Sequence, residues 1–232
     1  SKKSATLGIA VGSTALSMVV PFIMAKEGWN DHNRSLRSLS RDCAVNYLQS
    51  CAPNAIIFTN GDNDTFPLWY AQEVEGVRTD VRVVNLSLLQ TDWYIKQMRR
   101  AAYDSKPVPF TVPEEKLEAE KLSYLIINGQ NSVPMNLKEA LKLALSDDPN
   151  TKYDAGGELI DILPAKNLYV DVDSLAVMKN KVVDVRDTAR LTKRISWDLG
   201  GRNYITKNDL LVLDLIANND WKRPIYFAVT TG

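Results

Sequence analysis

The sequence is poor in the residues that most often announce a chemistry. It contains one histidine and two cysteines in 232 residues. A lone imidazole has no second histidine with which to build a metal centre, and Cys43 and Cys51 show no CxxC spacing, so no metal site is expected. The two cysteines lie eight residues apart in a segment that reads as helix. That spacing sets them ~12 Å apart, whereas a disulfide needs Cα atoms within ~7 Å. Two free, buried thiols are the expectation. An excess of either charge is also missing, with 28 basic and 28 acidic residues. Nothing therefore points to a nucleic-acid partner, and no acidic tail is present. No GxSxG, HExxH or Walker A motif occurs, nor any internal repeat or low-complexity stretch. With 45% hydrophobic and 24% charged residues, the chain can bury one sizeable core and is not a disordered one.

The opening, by contrast, is rich in apolar residues. Ala5 to Ala25 are 21 residues without a charge, ATLGIAVGSTALSMVVPFIMA, flanked by Lys2 and Lys3 before and by KEGW after. A helix of this length spans a hydrocarbon core of ~30 Å. Gly8 and Gly12 permit close helix contact, and Pro21 kinks the last turns. A signal peptide shares the charge pattern, but the apolar stretch is long and lacks a clean A-x-A site. A buried helix of a soluble protein is the third reading. The expectation is a transmembrane helix over residues 1–27, flanks included. The lysine pair places Ser1 in the cytoplasm and residues 28–232 outside the inner membrane. The segment WNDHNRS then contributes Trp29, Asp31, His32 and Arg34. These read as a membrane-surface turn, with His32 and Asp31 as an acid/base pair in the functional alternative.

Beyond it the periodicity alternates. Leu36, Leu39, Cys43, Ala44, Tyr47 and Leu48 recur at helical spacing, up to the break at Ala52-Pro53-Asn54. AIIFT at residues 55–59 predicts a buried strand. TFPLWYAQEVEG predicts a helix capped by Asp64 or Thr65 and ended by Gly76. VRVVNLSLL at 81–89 predicts a second strand, and TDWYIKQMRRAA a helix capped by Thr91 or Asp92. Three prolines in KPVPFTVPEE open an inserted excursion at about 104–166, which includes the helix NLKEALKLALS. Strands follow at 167–172, 189–199 and 223–229. Before the last lies a helix, TKNDLLVLDLIANN, with capping-box spacing from Thr206 to Asp209. The chain stops just after the final strand, which reads as truncation. This order predicts an α/β fold with a mostly parallel sheet and helices on both faces, Rossmann-like and three-layered, preceded by one transmembrane helix.

The stretch FTNGDNDTFPLW at 58–69 is the main candidate site. In open α/β sheets ligands bind beyond the carboxyl ends of the strands. Asn60, Asp62, Asn63, Asp64 and Thr65 lie at such an end. Asn85, Thr91, Asp92 and Trp93 follow the next strand and face the same crevice in a parallel sheet. Asp62-Asn63-Asp64 has the D-x-D form that nucleotide-sugar enzymes use to hold a metal, although three residues make a common pattern. The plain alternative is a helix cap and an Asx turn. A third stretch, Ser196 to Asn203, offers Trp197 for stacking on a sugar ring, against a core tryptophan and a hairpin turn.

Three stretches carry a resemblance: WNDHNRS; RDCAVNYLQSCAPNAIIFTNGDNDTFPLWYAQEVEGVRTDVRVVNLSLLQTDWYIKQM; and ITKNDLLVLDLIANNDWKRPIYFA. They resemble bacterial membrane proteins of the protein O-mannosyltransferase-like class (domain of unknown function 2723, glycosyltransferase family 117) over about residues 26–103 and 204–229. The resemblance implies a GT-C-like glycosyltransferase with many membrane helices and a lipid-linked sugar donor. Its catalytic aspartate would lie in an early extracytoplasmic loop ahead of Ser1. This chain would then be the last membrane helix and the soluble domain on the periplasmic side of a bacterial inner membrane, needing no cofactor of its own. The resemblance also turns the D-x-D reading away from metal, since a lipid-linked donor lacks the nucleotide that such a metal holds. The resulting expectation is an accessory domain that binds acceptor protein or glycan and is not itself catalytic. Two alternatives stand beside it. One is a structural or interaction domain, and the other a metal-dependent hydrolase acting through Asp62, Asp64, Asp92 and His32.

Overall fold

The computed structural model describes residues 2–119, 121–154 and 156–231, with side chains from residue 6 onward. The chain divides into two compact units, residues 1–42 and 43–232. The first is dominated by α1 (Lys2–His32), which runs through Pro21 and past the expected end at residue 27. Thr6–His32 is long and apolar enough to cross a membrane and lies near the N-terminus, as a signal sequence also would. The side chains of Lys2 and Lys3, on which the expected orientation rests, lie outside those described. Trp29, Asp31 and His32 belong to the last turn of α1 and not to a separate turn. A ring nitrogen of His32 donates to the Gly28 carbonyl at 2.7 Å. Arg34 lies in the turn that follows, where the Asn33 side chain accepts from the Ser35 N–H and hydroxyl. All four surface candidates are exposed.

Helix α2 (Leu39–Ser50) is shorter than its apolar pattern predicts. It buries Ala44 and Leu48, whereas Leu36, in the turn before it, is 94% exposed. Both cysteines are free, as expected, but Cys43 is exposed and only Cys51 is buried.

The heart of the second unit is a parallel sheet in the order β11-β1-β2, formed by β1 (Ile56–Thr59), β2 (Arg82–Asn85) and, at the end of the chain, β11 (Ile225–Phe227). Side chains alternate across a strand, and each face finds its own helices. Ile57, Val81 and Val83 pack with Ala44 and Leu48 of α2 and with Leu68 and Ala71 of α3 (Asp62–Glu73). Ile56, Phe58 and Val84 pack with Tyr94, Ile95 and Met98 of α4 (Asp92–Met98) and with Leu210, Leu211 and Leu215 near the C-terminal end. This small sheet thus has packed helices on each face, within an α/β arrangement of small sheets and not one broad Rossmann-like sheet.

The wide sheet anticipated from the sequence is divided instead. After α5 (Glu114–Leu117) come β3 (Tyr124–Ile127), β4 (Met135–Asn136), α6 (Leu137–Ala144), β5 (Tyr153–Asp154), β6 (Leu159–Ile160), β7 (Ile162–Leu163), β8 (Asn167–Asp171), α7 (Ser174–Lys179), β9 (Arg194–Asp198), β10 (Tyr204–Thr206) and α8 (Lys207–Asn218). Two further sheets, β10-β3-β7 and β4-β8-β9, mix parallel and antiparallel pairs, and β5 pairs β6 as a hairpin. The segment read as an excursion does not stand apart. Its Phe110, Val112, Leu117, Leu125, Leu141 and Leu163 share one core with Ile56 and Phe58. Helix α8 begins as its sequence dictates: the Asp209 carboxylate accepts from both the N–H and the hydroxyl of Thr206.

Candidate functional site

The loop after β1 is shaped by Gly61, whose φ of +83° is the left-handed conformation that glycine adopts without strain. It lets the strand turn directly into α3. The helix therefore starts at Asp62, earlier than expected, with Gly61 at the N-cap position and no side-chain cap bond. Capping by Asp64 or Thr65 is thus corrected: Asp62, Asn63 and Asp64 form the first turn. There the two carboxylates face the positive end of the helix dipole. Thr65 cannot cap because its hydroxyl donates back to the Gly61 carbonyl at 2.6 Å.

Below the loop lies a polar network that locks the strand ends together. The hydroxyls of Thr59 and Thr65 meet at 2.7 Å. Asn85 Nδ2 donates to the Thr65 hydroxyl at 2.8 Å and to the Gly61 carbonyl at 3.1 Å, while its Oδ1 accepts from the Leu88 N–H at 2.9 Å. Its own N–H reaches the Tyr94 hydroxyl at 3.0 Å. Thr65 is wholly buried and Asn85 is 2% exposed. Both were candidates for the ligand-facing lip, and both are spent on the fold. The same Asn85–Leu88 bond ends β2 four residues short of its predicted end and starts a 3-10 turn at Leu88–Gln90.

The residues after that turn point elsewhere too. The Thr91 hydroxyl donates to the Leu88 carbonyl and makes no cap bond to α4. Asp92 accepts from the Ala119 N–H at 2.7 Å and from Lys207 Nζ at 3.4 Å. The first of these, with the lysine adding to it, holds its carboxyl below the usual range. Asp92 therefore ties α4 to the start of α8. Trp93 is 57% exposed and packs edge-on against Tyr94, which is buried and carries the hydroxyl that meets Asn85.

What remains of the expected site is Asn60, Asp62 and Asn63, all exposed, and Asp64, which is only 8% exposed. Asn60 Oδ1 accepts from the Ser87 hydroxyl at 3.1 Å. Asp64 Oδ2 accepts from the hydroxyl of Thr230, in the turn Val229–Thr231 that follows β11. Asp64 Oδ1 is buried with no partner among the described residues. Leaving such an acceptor unmet costs about 1–3 kcal/mol, and more when it is charged. The position is chemically suggestive. With β1 between β2 and β11, the chain leaves β1 towards one neighbour while the other enters from the far end of the sequence. A carboxylate aligned by a helix start at this reversal of strand order can accept hydrogen bonds from a hydroxyl-bearing ligand.

No group of three or more His, Cys, Asp or Glu side chains that could hold a metal occurs among the described residues. The stretch from Ser196 to Asn203 is the end of β9 and a turn, in which Asp198 accepts from the N–H of Gly200 at 2.9 Å and Gly200 has a φ of +65°. Trp197 packs against the core. Thr230 is the partner that sequence reasoning missed, and no local signal could have found it, because 166 residues separate it from Asp64.

A family model described as TMEM260-associated domain 2 matches residues 40–232. No curated protein and no solved structure matches the chain.

Proposed function

We propose that this chain, which belongs to the TMEM260-associated domain 2 family, is an accessory domain of a membrane-bound, GT-C-like glycosyltransferase, binding acceptor protein or glycan without being catalytic itself. The observation that carries the reading is the buried Oδ1 of Asp64, at the carboxyl ends of β1 and β11, which has no partner among the described residues. On this reading a local opening of the loop brings a donor such as a sugar hydroxyl to that oxygen. Asn60, Asp62 and Asn63, its neighbours in sequence, are exposed and offer further acceptors and amides. The resemblance of the RDCAVNYLQS to IKQM stretch to protein O-mannosyltransferase-like proteins supports the same role. On this reading the transferred sugar comes from a lipid-linked donor handled elsewhere in the protein. On the same reading the domain lies on the periplasmic face of a bacterial inner membrane, anchored by α1, whose length and composition suit a membrane span.

The test is Asp62→Asn with Asp64→Asn in the full-length protein. Glycan transfer falls while the domain stays folded, its unfolding temperature lowered by no more than about 4 °C per substitution. Unchanged transfer overturns the reading. A domain that melts assigns the carboxylates to the fold, which is the purely structural alternative. For topology, a membrane-impermeant maleimide applied to intact cells labels Cys43, which is exposed; labelling only after the cells are opened reverses the orientation.

A further inference from the structure

We propose a second ligand position, at the free edge of β2: a cleft that takes one neutral pyranose ring of a glycan. The register sets the stage. Strands β1 and β2 pair in parallel, with Arg82 N–H donating to the Ala55 carbonyl and Leu86 N–H to the Thr59 carbonyl, both at 2.8 Å. Residues 82, 84 and 86 therefore turn their backbone groups towards β1, and residues 81, 83 and 85 turn theirs to the open edge. Two of these three positions are closed by the protein. Val81 gives its N–H to the Arg78 carbonyl and receives Gln72 Nε2 on its own carbonyl. Asn85 gives its N–H to the Tyr94 hydroxyl. The N–H and C=O of Val83 have no partner among the described residues.

Val83 lines a cavity of about 390 Å³, within the range of small-molecule sites. Helix α3 contributes Trp69 and Glu73 to its walls, and α4 contributes Trp93 and Gln97. Tyr103, also lining it, donates its hydroxyl to Glu73. An unpaired backbone donor and acceptor on one residue, between tryptophans, is a small polar patch framed by apolar faces.

An exposed edge usually suggests an added peptide strand, but strand addition pairs with several alternate residues in succession. Here the window is one residue long, because Gln72 and Tyr94 occupy the positions on either side. A compact ligand fits better. Each sugar hydroxyl both donates and accepts, so one vicinal diol meets the N–H and the C=O of Val83 together. The apolar C–H face of the ring packs on an indole, and Trp93 is 57% exposed to offer one. Glu73 and Arg82 give the lining one charge of each sign, so nothing selects an acidic or a basic sugar. This cleft is independent of the Asp64 crevice.

The experiment uses saturation-transfer NMR on the intact, detergent-solubilised chain with the methyl glycosides of glucose, galactose, mannose and N-acetylglucosamine. Transfer to at least one of them is expected. Trp93→Ala, which removes the platform, and Gln97→Trp, which fills the cleft, each weaken it by about tenfold or more. All transfer is compared with Asp62→Asn and Asp64→Asn already in place, so that the site of the proposed function contributes nothing to it. Thermal unfolding confirms that each variant is folded, and two dissimilar cleft variants guard against either one failing to fold. The proposal is overturned by no transfer to any of the four sugars. It is equally overturned by binding that survives both cleft variants, and by an extended peptide, rather than a sugar, occupying the cleft.

Discussion

Replacing Asp80 by asparagine removes an ion pair that holds the end of α2 to the start of β2, and the loss depends on pH in a defined way. Arg78 sends Nη1 to the carbonyls of Leu48 and Cys51 at 2.9 and 2.8 Å, and Nη2 to that of Ala52 at 3.2 Å. These carbonyls lie at and just past the C-terminal end of α2, where those of Leu48 and Ala52 otherwise accept only the long bonds from the Cys51 and Ala55 N–H groups at 3.2 and 3.3 Å. The guanidinium is itself oriented by Asp80, through a fork of 2.8 and 3.0 Å, and Asp80 also accepts from the Asn54 N–H at 2.8 Å. The arginine, more than the backbone bond, pulls the Asp80 carboxyl from 3.8 down to about 2. A folded-state value below the unfolded one means stability that is present in full above pH ~4 and lost as pH falls through ~2. The gap between 3.8 and about 2 corresponds to about 2.4 kcal/mol at most. The carboxylate side chain is 26% exposed, so water screens part of this, and about 1–2 kcal/mol is expected. Urea unfolding of the detergent-solubilised chain, followed by circular dichroism in steps from about pH 7 to 2.5 at constant ionic strength, measures it. The stability difference between the native chain and Asp80→Asn stays level down to about pH 5 and then shrinks. A difference that keeps its size from pH 5 to 2.5 would refute the linkage, and one near zero at pH 7 would refute the ion pair's role altogether.

Further outcomes follow from the same geometry. Asp62→Asn and Asp64→Asn break no side-chain cap, since none exists. Each costs about 0.3–1 kcal/mol of dipole interaction, so calorimetry should find Tm lowered by no more than about 4 °C apiece. Arg223, only 9% exposed, donates to the carbonyls of Asn54, Lys106 and Pro107, and burial brings its guanidinium down to about 10. Arg223→Lys cannot reproduce that fork and is expected to lose about 2–4 kcal/mol in urea unfolding; a loss under 1 kcal/mol contradicts the assignment. A maleimide reagent on the folded chain modifies Cys43 and spares Cys51, whose thiol is buried and pushed up by desolvation; mass spectrometry finds the second label only after denaturation.

Much of the second unit was legible because its signals are local. The apolar runs at Ile56–Thr59 and Arg82–Asn85, with a helix between them, are what a parallel pair requires. The Thr206–Asp209 spacing placed the start of α8. The start of α3 was misjudged because Asp64 and Thr65 are good caps by type. Only the backbone of Gly61 reveals that the turn happens earlier. The length of β2 was misjudged for a similar reason. Residues 81–89 are apolar enough for a strand, yet the side chain of Asn85 takes the Leu88 N–H and bends the chain away.

The sequence by itself determined the elements, the apolar N-terminal helix and the polar loop after β1, because periodicity and turn chemistry act over a few residues. Tertiary structure alone decided which of the candidate residues keep unspent polar groups. Thr65, Asn85 and Asp92 carry the right groups, but buried polar groups must be paired, and the fold supplied their partners from Gly61, Tyr94, Ala119 and Lys207. Asp64 kept one oxygen unmet because its donor on the other side, Thr230, arrives from the far end of the chain and has a single hydroxyl to give. Among the described residues Val83 has no backbone partner at the edge of β2 for the complementary reason: α3 and α4 take the Val81 carbonyl and the Asn85 N–H on either side of it and leave a cleft between them.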